Sequence, residues 1–178
     1  MRQIVLVSGP PAAGKTTLAA PLAGQLGFPL LAKDRIKESL QDSLGGCAGP
    51  DGVLDLTWSR RLGAASMELL WTLAADAPAV VLEANFWPDD PRVRQRIAEL
   101  ASRPVEVYCD CPAEVYLRRY SERGSARHPV HLDEQRTVTA EAFARWNHPM
   151  GIGPVIAVDT TRPVDIPALA QEVRAQLG

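Results

Sequence analysis

The run Gly9-Pro10-Pro11-Ala12-Ala13-Gly14-Lys15-Thr16 constrains the fold of this chain more than any other stretch. It matches the pattern G-x-x-x-x-G-K-[ST] in full, and that pattern demands a setting as well as residues: a strand must lead in and a helix must lead out. Ahead of it, Ile4-Val5-Leu6-Val7 is a continuous apolar run, as in a strand covered on both faces. The expectation is a strand over Gln3 to Ser8 and a helix from Lys15 to about Leu26. Gly9 and Gly14 permit backbone angles that a Cβ forbids. The amides of Gly9, Pro10, Pro11, Ala12, Ala13 and Gly14, proline nitrogens excepted, can then turn inward, and the helix N-terminus adds its positive dipole end. Such a cradle suits phosphate oxygens. Lys15 can reach outer phosphates, Thr16 can hold Mg²⁺ through its hydroxyl, and Thr17 offers a second hydroxyl to an α-phosphate. The competing reading is a Gly/Pro turn with an unrelated lysine.

Beyond this loop, apolar runs alternate with helical patterns, as in an α/β fold with a parallel sheet. Pro21 lies inside the first helix and predicts a kink or a late start, and Gly27 ends the helix. A strand over Pro29 to Ala32 and a helix from Asp34 to about Leu44 come next. The glycine-rich Gly45 to Gly52 reads as a loop. A long helix spans about Leu54 to Ala75, with Trp58, Leu62, Ala65, Leu69 and Leu73 at three- and four-residue steps. Ala79 to Ala84 is a third strand, followed by a helix from about Asp90 to Ala101 and a strand from Val105 to Cys109. Pro112 opens a helix that reaches about Arg123. Gly124 to Leu132 reads as a polar loop and Asp133 to about Arg145 as helix. The strand Val155 to Val158 and a helix from Ile166 to Leu177 complete the chain. Five strands, each followed by helix, make a three-layer doubly wound domain over residues 1–178.

Two other classes that use such loops lack support here. The N-K-x-D base-reading motif of GTPases is absent, and Val80-Val81-Leu82-Glu83-Ala84-Asn85 carries one acid where a motor ATPase has a pair. On these motifs the chain resembles the small P-loop kinases of the nucleoside monophosphate kinase-like group, an AAA-type ATP-binding kinase family. The likeness is nearest to the branch of chloramphenicol phosphotransferase, zeta toxin and polynucleotide kinase. The resemblance implies a five-stranded parallel sheet, ATP, Mg²⁺ and an arginine-bearing lid, here about residues 118–135. It also implies transfer of a phosphoryl group to a small-molecule hydroxyl.

Asp34 follows the second strand at the carboxyl edge, where the related kinases keep a catalytic aspartate. It can accept or orient the acceptor proton, and it can equally cap the helix behind it. Arg35 and Lys37 stand close enough to bind an anionic substrate group, or are simply solvated. Glu83 ends an apolar strand, where burial without a partner is costly, and it suits Mg²⁺ or substrate. Asn85, Phe86 and Trp87 suit an organic pocket, or the two aromatics pack beneath the next helix. Arg119 and Arg123 share a helix face. With Arg127 they match the family's lid, where guanidinium groups stabilise a transferring phosphoryl group; a solvated basic face is the plain alternative. Arg162 lies in the turn Asp159 to Pro163, which contacts adenine in related kinases; otherwise that turn is a loop with Asp165 capping the last helix. His128 and His131 are possible contacts to substrate or phosphate.

Net charge is −2, so no general basic field attracts nucleic acid or membrane. That weighs against the alternative of a polynucleotide 5′-hydroxyl kinase, which needs a basic channel with stacking aromatics. A non-catalytic nucleotide-binding regulatory protein is the other alternative. Cys47, Cys109 and Cys111 cannot all pair within the chain and show no zinc spacing. Buried free thiols and a cytoplasmic location are expected, since the short apolar N-terminal run neither spans a membrane nor ends in a cleavage site.

Overall fold

The computed structural model describes residues 2–44, 54–101, 103–123, 127–135 and 139–178, with Glu134 described in its backbone alone. The Gly45–Gly52 loop and Cys47 lie outside the described residues. The elements run β1 (Gln3–Ser8), α1 (Lys15–Leu26), β2 (Leu30–Ala32), α2 (Lys33–Ser43), α3 (Leu56–Asp76), β3 (Ala79–Glu83) and α4 (Pro91–Leu100). They continue with β4 (Val105–Asp110), α5 (Ala113–Arg123), α6 (Ala140–Phe143), β5 (Val155–Asp159) and α7 (Ile166–Leu177).

All five strands are parallel, in the order β2-β3-β1-β4-β5. β1 is central, and alternate residues supply opposite layers. Val5 and Val7 face α1, α5 and α7, packing with Leu18, Leu22, Tyr116, Leu169 and Val173. Ile4 and Leu6 face α3 and α4, packing with Leu70, Trp71, Ile97 and Leu100. This is the three-layer doubly wound α/β architecture expected from the sequence. In such sheets ligands meet the carboxyl ends of the strands. Register puts Glu83 there, level with Val7 on one side and Ala32 on the other.

Local chemistry sets most boundaries. Asp55, Asp90 and Asp165 each accept a backbone N–H at a helix start, from Trp58, Arg92 and Ala168 respectively. Gly27 closes α1 in the left-handed region, φ +73°, with Phe28 N–H donating back to Ala23 O. α1 starts directly at Lys15, so Pro21 does not delay it; the proline sits on the exposed side.

Two expectations need correction. The buried face of α3 is not the leucine stripe: Leu69 is 39% exposed and Leu73 49% exposed, and Ala65 is exposed too. The helix instead buries Ser59, Leu62, Ser66, Leu70, Trp71 and Ala74. Both serines tolerate burial because their hydroxyls are bonded, Ser66 Oγ to Leu62 O at 2.6 Å and Ser59 Oγ to Val130 O at 2.7 Å. Nor is Asp133 to Arg145 one helix. Asp133–Gln135 is a 3₁₀ turn, Ala140–Phe143 is a separate α-helix, and Ala144–Trp146 is a further 3₁₀ turn. Thr139 starts the second piece, its Oγ1 accepting from Ala142 N–H at 3.0 Å, while Arg123 and Arg127 hold Asp133.

Glu106 is buried in the middle of β4. Its carboxylate accepts from Ser8 Oγ at 2.5 Å and from the backbone N–H groups of Met150 and Gly151, each at 2.9 Å. A charge otherwise costly to bury thus fastens residues 150–151 to the sheet.

Candidate functional site

A cleft of about 900 Å³ opens at the carboxyl edge of the sheet. Its floor is the glycine loop. Gly9 has φ +130° and Gly14 φ +96°, and a Cβ on Gly9 would lie 2.7 Å from Cys109 O. Only glycine fits against β4 there. Ala12 also adopts the left-handed region, φ 62°, inside the same turn. Lys15 is buried, its Nζ donating to Gly9 O at 3.0 Å and Pro10 O at 2.6 Å. Burial pulls its pKa below the usual lysine value, and the Glu83 charge opposes that pull. Thr16 Oγ1 donates to Glu83 Oε1 at 3.4 Å. Burial raises the Glu83 pKa, with Lys15 opposing. Thr17 is exposed and lines the cleft.

Thr160, in the turn after β5, fixes this floor from the other side. Its Oγ1 donates to Ala13 O at 2.6 Å, and its N–H donates to Asp110 O at 3.1 Å. Its carbonyl accepts from Arg119 Nη2 at 2.9 Å. Arg119 therefore faces the cleft from α5, one turn before Arg123. Arg162 also lines the cleft and pairs with Asp159 at 2.9 Å.

Asp34 does not cap α2. The helix begins at Lys33, and Ala32 occupies the cap position without a side-chain bond. The carboxylate instead meets Lys33 Nζ at 3.1 Å and a close contact from Arg127 Nη2. Burial opposes its ionisation, but Lys33, Arg127 and His131 outweigh burial and hold the carboxyl well below the usual carboxylate range. Arg127 also pairs with Asp133 at 3.0 Å, as does Arg123, whose guanidinium lies 4.0 Å from the Tyr120 ring centre. Tyr120 OH donates to the same aspartate at 2.8 Å.

A second hollow, of about 620 Å³, lies beyond this cluster between α2, α3 and α6. Pro11, Asp34, Asn85, Arg123 and Arg127 line both spaces. Asp34 thus stands on the wall between the phosphate-loop cleft and the hollow.

Not every sequence candidate reaches these walls. Phe86 is 1% exposed and packs on Trp71, ring centres 5.7 Å apart, so its ring belongs to the core. Trp87 is 40% exposed, outside both linings, with the Arg145 guanidinium 4.7 Å from its ring centre. Lys37 borders the hollow but is buried, its Nζ donating to Ser59 Oγ at 2.8 Å and Val130 O at 3.2 Å. It ties α2 to α3 and to Val130, which corrects the alternative that it is simply solvated. Arg35 is exposed on the rim of the first cleft. His131 is buried, 2.7 Å from Glu38 Oε1, and His128 Nε2 lies 3.1 Å from Asp42 Oδ1. Both histidines join the segment after α5 to α2. Arg118 points outward to Glu122. Cys109 and Cys111 are buried free thiols, and burial pushes Cys109 up to about 12. The residues that sequence reading passed over are Asp133, Tyr120 and Thr160. The signal for Asp133 was an acid placed directly after an arginine-rich stretch.

The donor set fits the expected groups. Arg123 Nε is buried without a hydrogen-bond partner among the described residues, a donor suited to a phosphate oxygen. Thr16 and Glu83 are adjacent oxygens. Mg²⁺ commonly takes one or two protein oxygens and fills its shell with water and phosphate.

A central strand that feeds a glycine loop, flanked by parallel strands and covered by helices on both faces, is the P-loop nucleotide-binding fold of the kinase type. The family model AAA_33, described as an AAA domain, matches residues 4–148, and the chain belongs to that family. A protein from Chloroflexus aurantiacus J-10-fl, described as a candidate kinase, is 32% identical over 99% of both chains, with a TM-score of 0.82. Shikimate kinase from Acinetobacter baumannii is similar in fold alone, at 17% identity and TM-score 0.59 over 98% of this chain and 92% of that one. So is a gluconokinase from Sinorhizobium meliloti 1021, at 19% identity and TM-score 0.53 over 99% and 91%. No curated protein sequence matches the chain. Among the described residues, no helix is long and apolar enough to cross a membrane.

Proposed function

We propose that the protein is an ATP- and Mg²⁺-dependent phosphotransferase that moves the γ-phosphoryl group to a hydroxyl of a small molecule. One observation carries this reading: the Asp34 carboxylate lies on the wall shared by the phosphate-loop cleft and the second hollow. A nucleotide in the first and an alcohol in the second would meet beside it. The likeness to the Chloroflexus protein, and to kinases of small molecules in fold, supports the class. We place the chain nearest the chloramphenicol phosphotransferase, zeta toxin and polynucleotide kinase branch.

The loop amides, Lys15 and Arg119 hold the nucleotide phosphates, and Arg162 lies toward the base. Thr16 and Glu83 hold Mg²⁺, which when bound offsets phosphate charge. Asp34 hydrogen-bonds the acceptor hydroxyl and orients its oxygen toward phosphorus. Asp34 receives the proton late, after the new P–O bond has largely formed, as suits a loose transition state. The bond to the β-phosphate oxygen breaks, and the proton passes from Asp34 to solvent. Lys15, Arg119 and Arg123 stabilise charge on the transferring group. Arg127 must leave Asp34 free for the hydroxyl, which makes residues of about 118–135 a lid that closes in a different pairing.

The test is a panel of hydroxylated sugars, nucleosides and antibiotics incubated with Mg²⁺–ATP and read by mass spectrometry. A phosphorylated product that Lys15→Ala does not form is the expected result. ATP hydrolysis indifferent to every acceptor would favour a nucleotide-binding regulator instead.

A further inference from the structure

Six cationic side chains line the second hollow, against two carboxylates. Four of the six are committed. Lys33 pairs with Asp34, and Lys37 is bonded to Ser59 and Val130. Arg123 and Arg127 share Asp133. The remaining two, Arg60 on α3 and Arg145 on the 3₁₀ turn after α6, have no carboxylate partner among the described residues. From this imbalance we infer that the acceptor carries an anionic group, a carboxylate or a phosphate, beside its reacting hydroxyl, and that Arg60 and Arg145 bind it. The inference rests on the kinase reading above and names the substrate class of that same site.

Arg145 is held for this task. Its guanidinium lies 4.7 Å from the Trp87 ring centre and 5.4 Å from that of Trp146. Cation–π contact of this kind uses the face of the guanidinium and leaves its N–H edge free. Trp146 is itself anchored. Its Nε1 donates to Asn85 O at 3.3 Å, and its carbonyl accepts from Tyr108 OH at 3.1 Å. A fork so supported loses less freedom on binding than one on a free side chain. Planar N–H pairs match the oxygens of carboxylate and phosphate. The hollow's own carboxylates, Asp34 and Asp133, are each engaged by cations, so they offer little repulsion. A neutral alcohol would leave both guanidinium groups without a counter-charge, and a cationic amino sugar would be repelled.

This also gives Trp87 a part in the site, although it does not line the hollow. It acts through Arg145 and is therefore a positioning residue.

Matched acceptors provide the test. Glycerate is compared with glycerol, gluconate with glucitol, and glucose 6-phosphate with glucose, each with Mg²⁺–ATP and mass-spectrometric measurement of transfer. The expected result is at least a tenfold higher kcat/KM for the anionic member of a pair. The acid pairs and the phosphate pair distinguish carboxylate from phosphate. Arg60→Gln and Arg145→Gln should each raise KM for that anion about tenfold and shrink the discrimination between paired acceptors. The nucleotide dissociation constant, titrated separately, should hold. Trp87→Ala should raise the same KM by a smaller factor, and a near-ultraviolet circular dichroism spectrum like that of the parent protein would exclude misfolding. Equal or better use of the neutral members overturns the inference and leaves the kinase reading intact. Discrimination that survives both arginine substitutions also overturns it. Failure of every acceptor, with ATP hydrolysis unaffected by any, removes the kinase reading and this inference together.

Discussion

The glycine loop and the second hollow lie on either side of Asp34, yet they are made by different means. The loop works through backbone. Its positive φ angles at Gly9, Ala12 and Gly14 and the Lys15 contacts to Gly9 and Pro10 all lie within one short stretch of chain. The hollow works through side chains far apart in sequence: Asp34 meets Arg127, and Lys37 meets Val130, each across 93 positions. A backbone cradle is specified mostly by its own residues, with Thr160 as its brace from outside. A side-chain network exists only once the whole fold has formed, and substitutions elsewhere can retune it. Such a division suits a scaffold that keeps one phosphate donor while its acceptor varies.

Substitutions on each side probe that contrast. The largest effect should come from the loop: Lys15→Ala should lower kcat by roughly 10² to 10³ or more, as for loss of a donor to developing charge. Near-wild-type turnover would refute the backbone-and-ammonium account. On the shared wall, Asp34→Asn should cost about two orders of magnitude in kcat while nucleotide affinity is kept. Asp34 does not cap α2, but its carboxylate pairs with Lys33 and Arg127, so a modest fall in thermal midpoint is expected beside the kinetic loss; a fall in stability with kcat unchanged would show a structural role alone. In the hollow, Lys37→Met should cost about 1–3 kcal/mol of stability through lost buried hydrogen bonds, with acceptor KM little changed. Denaturant titration beside steady-state kinetics would expose the opposite pattern, a raised KM at constant stability, if Lys37 binds substrate.

The smallest effect should be the pH-dependent one. Asp34 and Asp133 both have carboxyls held below their usual range in the folded protein; burial opposes this in each, and Arg127 helps to outweigh it. Depressed folded pKa values mean that their ion pairs contribute fully above an unfolded carboxylate pKa of about 3.9 and less as pH falls below it. Arg127→Gln should therefore cost at most about 1 kcal/mol at neutral pH, given partial exposure, and the difference should shrink near pH 3. Equal differences at both pH values would mean that Arg127 stabilises by packing.

The same contrast explains what could be read from sequence. The strands, their parallel arrangement and the glycine loop were legible because the strand runs are apolar on both faces and because glycine spacing reports backbone geometry directly. The buried face of α3 was not, because apolar periodicity counts leucines and cannot see that Ser59 and Ser66 have acceptors within reach. Asp34 was found, but its partner was hidden: a residue that caps a helix and one that pairs with an arginine 93 positions away look alike in sequence. Phe86 and Trp87 are adjacent and chemically similar, yet the strand end sends the first into the core with Trp71 and leaves the second outside beneath Arg145. The broken helix after Asp133 was legible in part, since Thr139 is an ordinary helix start, but the pull of Arg123 and Arg127 on Asp133 was not.

Thr160 gathers three other stretches of chain around one residue: its hydroxyl reaches Ala13, its amide reaches Asp110, and its carbonyl receives Arg119. A disturbance at this rivet would be transmitted in two directions, to the glycine loop and to the helix that carries Arg119. The glycine loop and α5 cannot drift independently, since their spacing is gauged by one residue, through a side-chain hydroxyl on one side and a backbone carbonyl on the other.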